Sequence, residues 1–381
     1  MKTEKKKIGI LTQPLRQNYG GALQNYALQT VLKREGFNPY TIYRHRFLSK
    51  TLIIGSFLKR WILKYIFRKN VIVRIHPTDK ETGIIFHNIK RFIRENIVVT
   101  EKFDKKKFDI TKKYDFNTYI VGSDQVWRPK YSPCLNNYFL DFLDGNNSVK
   151  KIVYAASFGV DEWEFSPEQT IKCSALAKQF NSISVREDSA VKLCKDYLDV
   201  SAIQVLDPSM LLKKEDYIDL IKRNNIPERE NILFSFILDK SDEKNSLLQK
   251  VLQESNLRHI SGMPPNLFHL KESKKDLSDC IYLTVEEWIA GFRDAKFVIT
   301  DSFHGTVFSI LFNKPFVVFA NKGRGKTRFT SLLKIFNLEE RIITSSDFDN
   351  KLFHLDYSEI NKIVEKEREK SINYLFEALN S

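Results

Sequence analysis

The chain has 381 residues, of which 42% are hydrophobic and 28% are charged, and its formal net charge is +14. This length and composition suit two domains with cores of their own, which excludes a single small binding module. The four cysteines are widely spaced, without a Cys-x-x-Cys pair or a nearby histidine cluster, so neither a disulfide framework nor a structural zinc is suggested. We therefore expect a protein of the reducing cytoplasm.

The first half of the chain alternates short apolar segments, typical of strands, with helical patterns. The segment at residues 8–11 is too short for a signal peptide and instead predicts the first strand. No stretch reaches the ~20 apolar residues of a membrane-spanning helix. The predicted strands of this half lie at residues 8–11, 39–43, 118–121, 151–155, 182–185 and 202–205. We assign residues 1–212 to an N-terminal Rossmann-like domain with a basic helical insertion near residues 47–108.

The positive charge is concentrated in the first fifth of the chain. Residues 1–76 hold 16 Lys or Arg and two acidic residues, whereas the rest of the chain holds 45 residues of each sign. Within this zone, residues 57–69 have the pattern of a basic amphipathic helix, in which Arg60, Lys64 and Arg68 recur beside an apolar face. Two interpretations remain open: a helix on an anionic membrane surface, or a helix packed on its own domain with a solvated basic edge. Nucleic acid is not expected as a partner, because no recognisable RNA or DNA module accompanies the charge.

A second alternation of strands and helices begins after residue 227. The predicted strands lie at residues 232–238, 259–261, 297–300 and 316–319. We assign residues 226–346 to a second Rossmann-like domain and residues 347–381 to a C-terminal helical tail. The expected fold is therefore α/β, with two Rossmann-like domains that face a cleft lined by the carboxyl ends of their strands.

Polar residues follow three predicted strands of the first domain. Asn18, Gly20 and Gly21 open a helix, and the small glycines would let backbone N–H groups approach a phosphate or sugar, although a plain tight turn explains them equally well. Further candidates for a sugar site are Ser123, Asp124 and Trp127. For Trp127, the alternative is a position in the hydrophobic core. Arg186 follows the strand at 182–185, where its planar fork would suit a carboxylate or phosphate, or else a structural ion pair.

In the second domain, Ser302 and His304 lie where the strand at 297–300 gives way to an apolar helix. Free N–H groups at a helix N-terminus favour an anion, and an imidazole beside it suits proton transfer. The alternative is a capped, buried helix in which His304 only fills space. Arg324 and Arg328 belong to a segment of four cations and two glycines, suited to closing over an anionic substrate.

Taken together in their order, these motifs resemble those of the polysaccharide pyruvyl transferases. The motifs that carry the resemblance are Asn18-Tyr19-Gly20-Gly21-Ala22-Leu23-Gln24, Val121-Gly122-Ser123-Asp124-Gln125-Val126-Trp127, Ser184-Val185-Arg186-Glu187, Leu206-Asp207-Pro208 and Asp301-Ser302-Phe303-His304-Gly305. The resemblance implies a fold similar to the two-domain GT-B glycosyltransferases. It also implies transfer of pyruvate from phosphoenolpyruvate to a sugar of a surface-polysaccharide precursor, with formation of a ketal. The implied mechanism demands no metal ion and no cofactor besides this donor substrate.

The resemblance further implies roles for individual residues. His304 would be the acid or base, Arg186 would hold the carboxylate or phosphate of the donor, and Arg324 and Arg328 would offset phosphate charge from the other wall. Ser302 stands where many members of the family have an arginine, so either a nearby cation substitutes or the donor differs. A glycosyltransferase that uses a nucleotide sugar, and a non-catalytic binding protein of the same fold, remain alternatives. The saccharide acceptor would be lipid-linked if the basic segment meets the inner membrane face.

Overall fold

The computed structural model describes residues 6–15, 18–44, 50–69, 73, 79–103, 110–132, 134–267, 277–319, 326–344 and 348–381. Its strands form two separate sheets, one from each half of the chain, and every strand pair in both is parallel. The α/β fold with two parallel sheets is thus confirmed.

The first sheet has six strands in the order β2-β1-β3-β4-β5-β6. These strands are β1 (Lys7–Leu11), β2 (Asn38–Thr41), β3 (Thr118–Val121), β4 (Lys150–Ala156), β5 (Ser182–Val185) and β6 (Ile203–Gln204). The central strands are rich in Ile and Val and are buried on both faces, as parallel sheets covered by helices require.

The second sheet has five strands in the order β11-β10-β9-β7-β8. They are β7 (Ile232–Phe236), β8 (Arg258–Ser261), β9 (Ala295–Thr300), β10 (Phe316–Phe319) and β11 (Ile342–Ile343). The two sheets fall within the two predicted domains, whose boundaries at residues 212, 226 and 346 stay predictions.

Helices cover both sheets. In the first half they are α1 (Tyr19–Arg34), α2 (Lys50–Tyr65), α3 (Asp79–Ile85), α4 (His87–Asn96), α5 (Ile110–Lys113), α6 (Pro167–Ala177) and α7 (Asp188–Leu193). In the second half they are α8 (Lys214–Arg223), α9 (Asp242–Ser255), α10 (Val285–Asp294), α11 (Phe303–Leu311), α12 (Lys326–Ile335) and α13 (Ser358–Asn380). Several begin at the side-chain caps that their sequences indicate, such as the Thr284 and Glu287 capping box of α10.

The two halves share one hydrophobic core. A single cluster of buried residues includes Ile10 and Ile120 of the first sheet together with Phe234 and Val298 of the second. The last helix, α13, also joins both halves, because Ser371 Oγ accepts a hydrogen bond from the Leu206 N–H at 3.0 Å while other residues of α13 pack into the shared core. The carboxyl ends of the two sheets are thereby held against each other.

Candidate functional site

His304 lies at the start of α11, directly after β9, and is only 6% exposed. Ser302 is the N-cap of this helix, and its Oγ accepts a hydrogen bond from the Gly305 N–H at 3.4 Å. Asp301 belongs to the scaffold instead, because its carboxylate accepts hydrogen bonds from two backbone N–H groups and from Lys244 Nζ at 2.6 Å. The short loop is therefore fixed from both sides, and it delivers the imidazole to the boundary between the two halves.

The imidazole packs against the backbone of Gly20 in the first turn of α1. A Cβ atom built on Gly20 would lie 2.5 Å from Cε1 of His304 and closer still to Nδ1 and Cγ. No side chain other than hydrogen fits here, so the close approach explains why the first residue of the glycine pair must be glycine. The second, Gly21, has room for a Cβ, with its nearest neighbours in the Asn18 side chain at 3.7 Å.

Arg186 lies directly after β5 at the centre of a buried ionic cluster. Its Nη1 donates a hydrogen bond to Asp207 Oδ2 at 2.9 Å, and its Nε lies 3.4 Å from Glu187 Oε1. Asp124 Oδ1 lies 3.6 Å from Arg186 Nη2, beyond hydrogen-bond distance. Arg186 Nη2 has no hydrogen-bond partner among the residues that the structure describes.

Asp207 connects this cluster to His304. Its side chain is fully buried and accepts hydrogen bonds from Ser123 Oγ at 3.1 Å and from the Ser209 N–H at 2.9 Å. His304 Nε2 lies 3.7 Å from Asp207 Oδ2, too far for a direct hydrogen bond but close enough for a strong ionic attraction when the imidazole is protonated. Within the described part of the chain, His304 Nε2 also lacks a hydrogen-bond partner.

The surroundings of this cluster shift the pKa values of its carboxyl groups. Burial disfavours the charged form of Asp207, but His304, Arg186 and the Ser209 N–H outweigh burial and hold the pKa of Asp207 well below its ordinary value. Burial raises the pKa of Glu187, and the neighbouring Arg186 only partly opposes that rise. Of Asp207 and Glu187, Asp207 is therefore the carboxyl group whose surroundings favour the charged form.

A second buried arginine approaches from the other half of the chain. Arg328 of α12 lies with its Cζ 6.0 Å from the centroid of the Phe303 ring, and Arg186 Cζ lies 4.1 Å from the same centroid. Burial, followed by repulsion from Arg186, lowers the pKa of Arg328 to about 10. Guanidinium groups from both halves of the chain thus lie near the ring of Phe303, the residue that immediately precedes His304.

The predicted site residues have different outcomes. Ser123, Asp124, Arg186, His304 and Arg328 come together in this cluster, and Gly20 touches its imidazole. Ser302 and Asn18 cap α11 and α1, respectively. Arg324 lies outside the described residues.

The structure corrects the interpretation of Trp127 as a sugar-stacking ring. Trp127 is 0% exposed, and its ring stacks on Phe139 with centroids 4.8 Å apart. Its Nε1 donates a hydrogen bond to the Tyr138 carbonyl oxygen at 3.0 Å. Both the ring and the polar atom are therefore satisfied inside the core of the first domain, where no sugar reaches them.

Asp207 and Phe303 join the site without a predicted role, although both lie within the quoted motifs. Asp207 has the stronger signal, since it is a carboxylate shortly after a strand of a parallel sheet, where functional groups gather. Phe303 reads as an ordinary apolar residue at the start of an apolar helix. Only the structure shows that an arginine lies over its ring.

The chain matches a known protein family. The family model for polysaccharide pyruvyl transferase matches residues 18–323. The chain belongs to the polysaccharide pyruvyl transferase family. The family confirms the predicted resemblance and supports a transferase enzyme that moves pyruvate to a polysaccharide. No curated protein sequence matches the chain.

Solved structures share the fold. UGT89C1 of Arabidopsis thaliana, complexed with UDP-L-rhamnose, is similar with a TM-score of 0.52 at 9% identity, over 99% of this chain and 98% of that one. The N-terminal domain of trehalose-6-phosphate phosphatase from Candida albicans is similar with a TM-score of 0.50 at 12% identity, over 100% and 97% of the two chains. The similarity confirms the predicted GT-B-like architecture and shows the fold alone.

No group of three or more His, Cys, Asp or Glu side chains in the described ranges is arranged to hold a metal ion. None of the helices in those ranges is long and apolar enough to span a membrane.

Proposed function

We propose that this transferase moves pyruvate from phosphoenolpyruvate to a sugar of a surface-polysaccharide precursor and forms a ketal. The observation that carries the proposal is the meeting of His304 with Asp207 and Arg186 across the domain boundary, where His304 Nε2 lies 3.7 Å from Asp207 Oδ2. A proton-transfer group, a buried carboxylate and two buried guanidinium groups are the set that this chemistry requires.

The proposed reaction forms two carbon–oxygen bonds at C2 of the pyruvyl group after a proton transfer to carbon. A proton is added to the methylene carbon of the enolpyruvyl group, and a sugar hydroxyl attacks the cationic C2 atom. Phosphate then leaves, and a second hydroxyl of the same sugar closes the ketal, while each hydroxyl loses its proton. His304 is the group proposed to donate or accept these protons at Nε2, which has no hydrogen-bond partner in the described part of the chain.

Asp207 is proposed to position His304 and to stabilise its protonated form. The carboxylate is held by Ser123, the Ser209 N–H and Arg186, so it stays charged and fixed while the imidazole changes its charge. A fixed buried charge next to a proton-transfer group stabilises the charged state without reorganisation.

Arg328 is proposed to replace the arginine that the family often has at position 302. Ser302 is short and its hydroxyl caps α11, whereas Arg328 of α12 brings its guanidinium group to within 6.0 Å of the Phe303 ring centroid. Together with Arg186, it provides the positive charge for the carboxylate and phosphate of the donor.

We place the enzyme in the cytoplasm, with a saccharide acceptor that is linked to lipid.

The decisive experiment is calorimetric titration with phosphoenolpyruvate beside uridine diphosphate. We expect phosphoenolpyruvate to bind, and Arg328→Gln to weaken its binding on the order of tenfold or more. The matched control is Arg94→Gln, which removes an arginine with a 77% exposed side chain from α4 and should leave the affinity unchanged. His304→Ala should retain donor binding but lose turnover by about 10²-fold or more.

Two results would redirect the assignment. Binding of uridine diphosphate without phosphoenolpyruvate would favour a glycosyltransferase, the alternative that the fold shared with UGT89C1 keeps open. Full function of His304→Ala in cells would favour a binding protein that lacks catalysis.

A further inference from the structure

The exposed face of α2 is unusual for a helix of a globular protein. Five apolar side chains of this helix lie in solvent, with exposed fractions that reach 56% for Ile54 and 58% for Tyr65. We call these residues the α2 stripe, and they are Ile54, Phe57, Leu58, Trp61 and Tyr65. Ile66 and Phe67 continue the exposed apolar surface beyond the helix, at 62% and 63%. A contiguous apolar surface of this kind marks an interaction site.

The spacing of the α2 stripe places all five residues on one side of the helix. Side chains three, four or seven residues apart share one face of a helix. Leu58, Trp61 and Tyr65 follow this spacing from Ile54, and Phe57 lies three residues after Ile54 and four before Trp61. The half-buried Ser56 and Leu63 project from the other side. The helix thus turns its most apolar face outward, the reverse of a helix that covers a core.

The charge around the α2 stripe is of one sign. Arg60 and Lys64 lie on the helix beside the stripe, Arg68 and Lys69 follow it, and no acidic residue occurs between residues 36 and 78. Lys64 Nζ lies 5.5 Å from the centroid of the Tyr65 ring, so cation and aromatic ring share one edge of the stripe. Aromatic and aliphatic groups bordered by cations fit the interface of a bilayer that contains anionic lipids.

We propose that the α2 stripe inserts into the interfacial layer of an anionic membrane. A second copy of the chain is disfavoured as the occupant, because a symmetric contact through this face would bring the same cations together. The proposal deepens the proposed function, since a lipid-linked acceptor would lie at such a surface, yet its physical basis is independent of the reaction.

The position of α2 in the fold supports this arrangement. The insertion leaves the first sheet after the carboxyl end of β2, the edge of the sheet that also carries Ser123 and Arg186. Its later helix α4 is fixed to the second half of the chain, where Arg91 Nη2 lies 3.1 Å from Glu286 Oε2 and Asn88 Nδ2 donates to the Tyr282 carbonyl oxygen. The segment that contains α2 therefore emerges from the sheet edge to which the site belongs.

Co-sedimentation with vesicles tests the proposal without donor or acceptor. The full-length protein should sediment with vesicles of phosphatidylcholine and phosphatidylglycerol, and much less with phosphatidylcholine alone. Reversing three charges, by Arg60→Glu, Lys64→Glu and Arg68→Glu, should lower the partition coefficient on the order of 100-fold. Replacing the aromatic anchors by Phe57→Ser and Trp61→Ser should lower it by roughly tenfold or more.

Matched controls distinguish an effect of the α2 face from a general effect of charge or hydrophobicity on vesicle binding. Lys172→Glu, Lys192→Glu and Lys195→Glu make the same charge change at exposed positions on α6 and α7 and the turn that follows, and Ile171→Ser removes an apolar side chain that is 75% exposed. Both controls should bind vesicles as the unmodified protein does.

Three outcomes would overturn the proposal: no sedimentation of the unmodified protein, unchanged sedimentation of the stripe variants, or loss of a dimer as their only effect. Titration of the stripe variants with phosphoenolpyruvate keeps the two proposals distinguishable. Retained donor binding with lost vesicle binding supports the membrane surface, whereas vesicle binding without donor binding would remove only the proposed reaction.

Discussion

Replacing Gly20 by alanine tests the contact on which the candidate site depends. The added Cβ atom would lie 2.5 Å from His304 Cε1 and closer to Nδ1 and Cγ, whereas real Cβ contacts stay above 3.0 Å. The imidazole ring is rigid and is only 6% exposed, so it has no free volume to enter. Either the ring or the whole start of α11 must move.

The free-energy change follows from two opposing effects. Overpacking a closely packed contact costs about 1–3 kcal/mol. Alanine gains about 0.5–1 kcal/mol over glycine within a helix, which partly offsets this cost. The neighbouring Gly21→Ala makes the same helix gain without the clash, because its nearest neighbour lies at 3.7 Å. We therefore expect Gly20→Ala to be destabilising and Gly21→Ala to be neutral or stabilising in urea unfolding.

A double-mutant cycle identifies the cause. In Gly20→Ala with His304→Ala, the clash is absent, so the lost stability should largely return. Donor turnover should fall about 10²-fold in Gly20→Ala, since a displacement near 1 Å is enough for such a loss. Gly21→Ala should keep its turnover. Equal stability of the two glycine variants, or additive losses in the double variant, would refute the packing argument.

Three further predictions concern single residues of the site and core. Asp207→Asn should lower kcat/KM while phosphoenolpyruvate binding in calorimetry is retained, because it removes the fixed charge opposite His304 Nε2; an unchanged kcat/KM would leave Asp207 with a structural role alone. Trp127→Phe should lower the free energy of unfolding by about 1–3 kcal/mol in urea titration while the KM for the acceptor stays unchanged, since the ring lies in the core. Burial raises the pKa of the Cys173 and Cys194 thiols to about 12, so mass spectrometry after brief alkylation of the native protein should find the partly exposed Cys134 modified first.

Much of the fold was predictable because strand signals in parallel sheets are strong. The strands at residues 118–121, 182–185 and 316–319 match their predictions at both ends, as each is a short apolar run bounded by polar or turn residues. Edge strands were harder. β11 contains only Ile342 and Ile343, which is too short to show any periodicity.

The helix α2 shows what an amphipathic pattern leaves undecided. The basic repeat predicted a helix at residues 57–69, and the structure has one at Lys50–Tyr65 that begins earlier, where the basic repeat is absent. The pattern of apolar and charged residues is identical for a helix that faces a core and one that faces a lipid surface. Only the exposed fraction of the apolar side chains distinguishes them.

For the site, chain position was a better guide than residue type. Arg186 and His304 were found because each directly follows a strand, and parallel strands bring their carboxyl ends to one edge. Trp127 follows a strand too, but Asp124 has a φ of 71° and its carbonyl oxygen accepts a hydrogen bond from the Val126 N–H. This left-handed turn directs the following residues back into the core, and a local sequence pattern does not reveal it.

The distribution of the site over the two halves of the chain has a mechanistic consequence. Arg186, Asp207 and Ser123 belong to the first half and are joined by hydrogen bonds to Asp207. His304 comes from the second half and lies against Gly20 and Asp207 of the first. Buried ion pairs contribute little net stability, because desolvation offsets their attraction. The Asp207 cluster instead places a fixed charge opposite His304 Nε2, where it would stabilise an imidazolium formed in the proposed proton transfer.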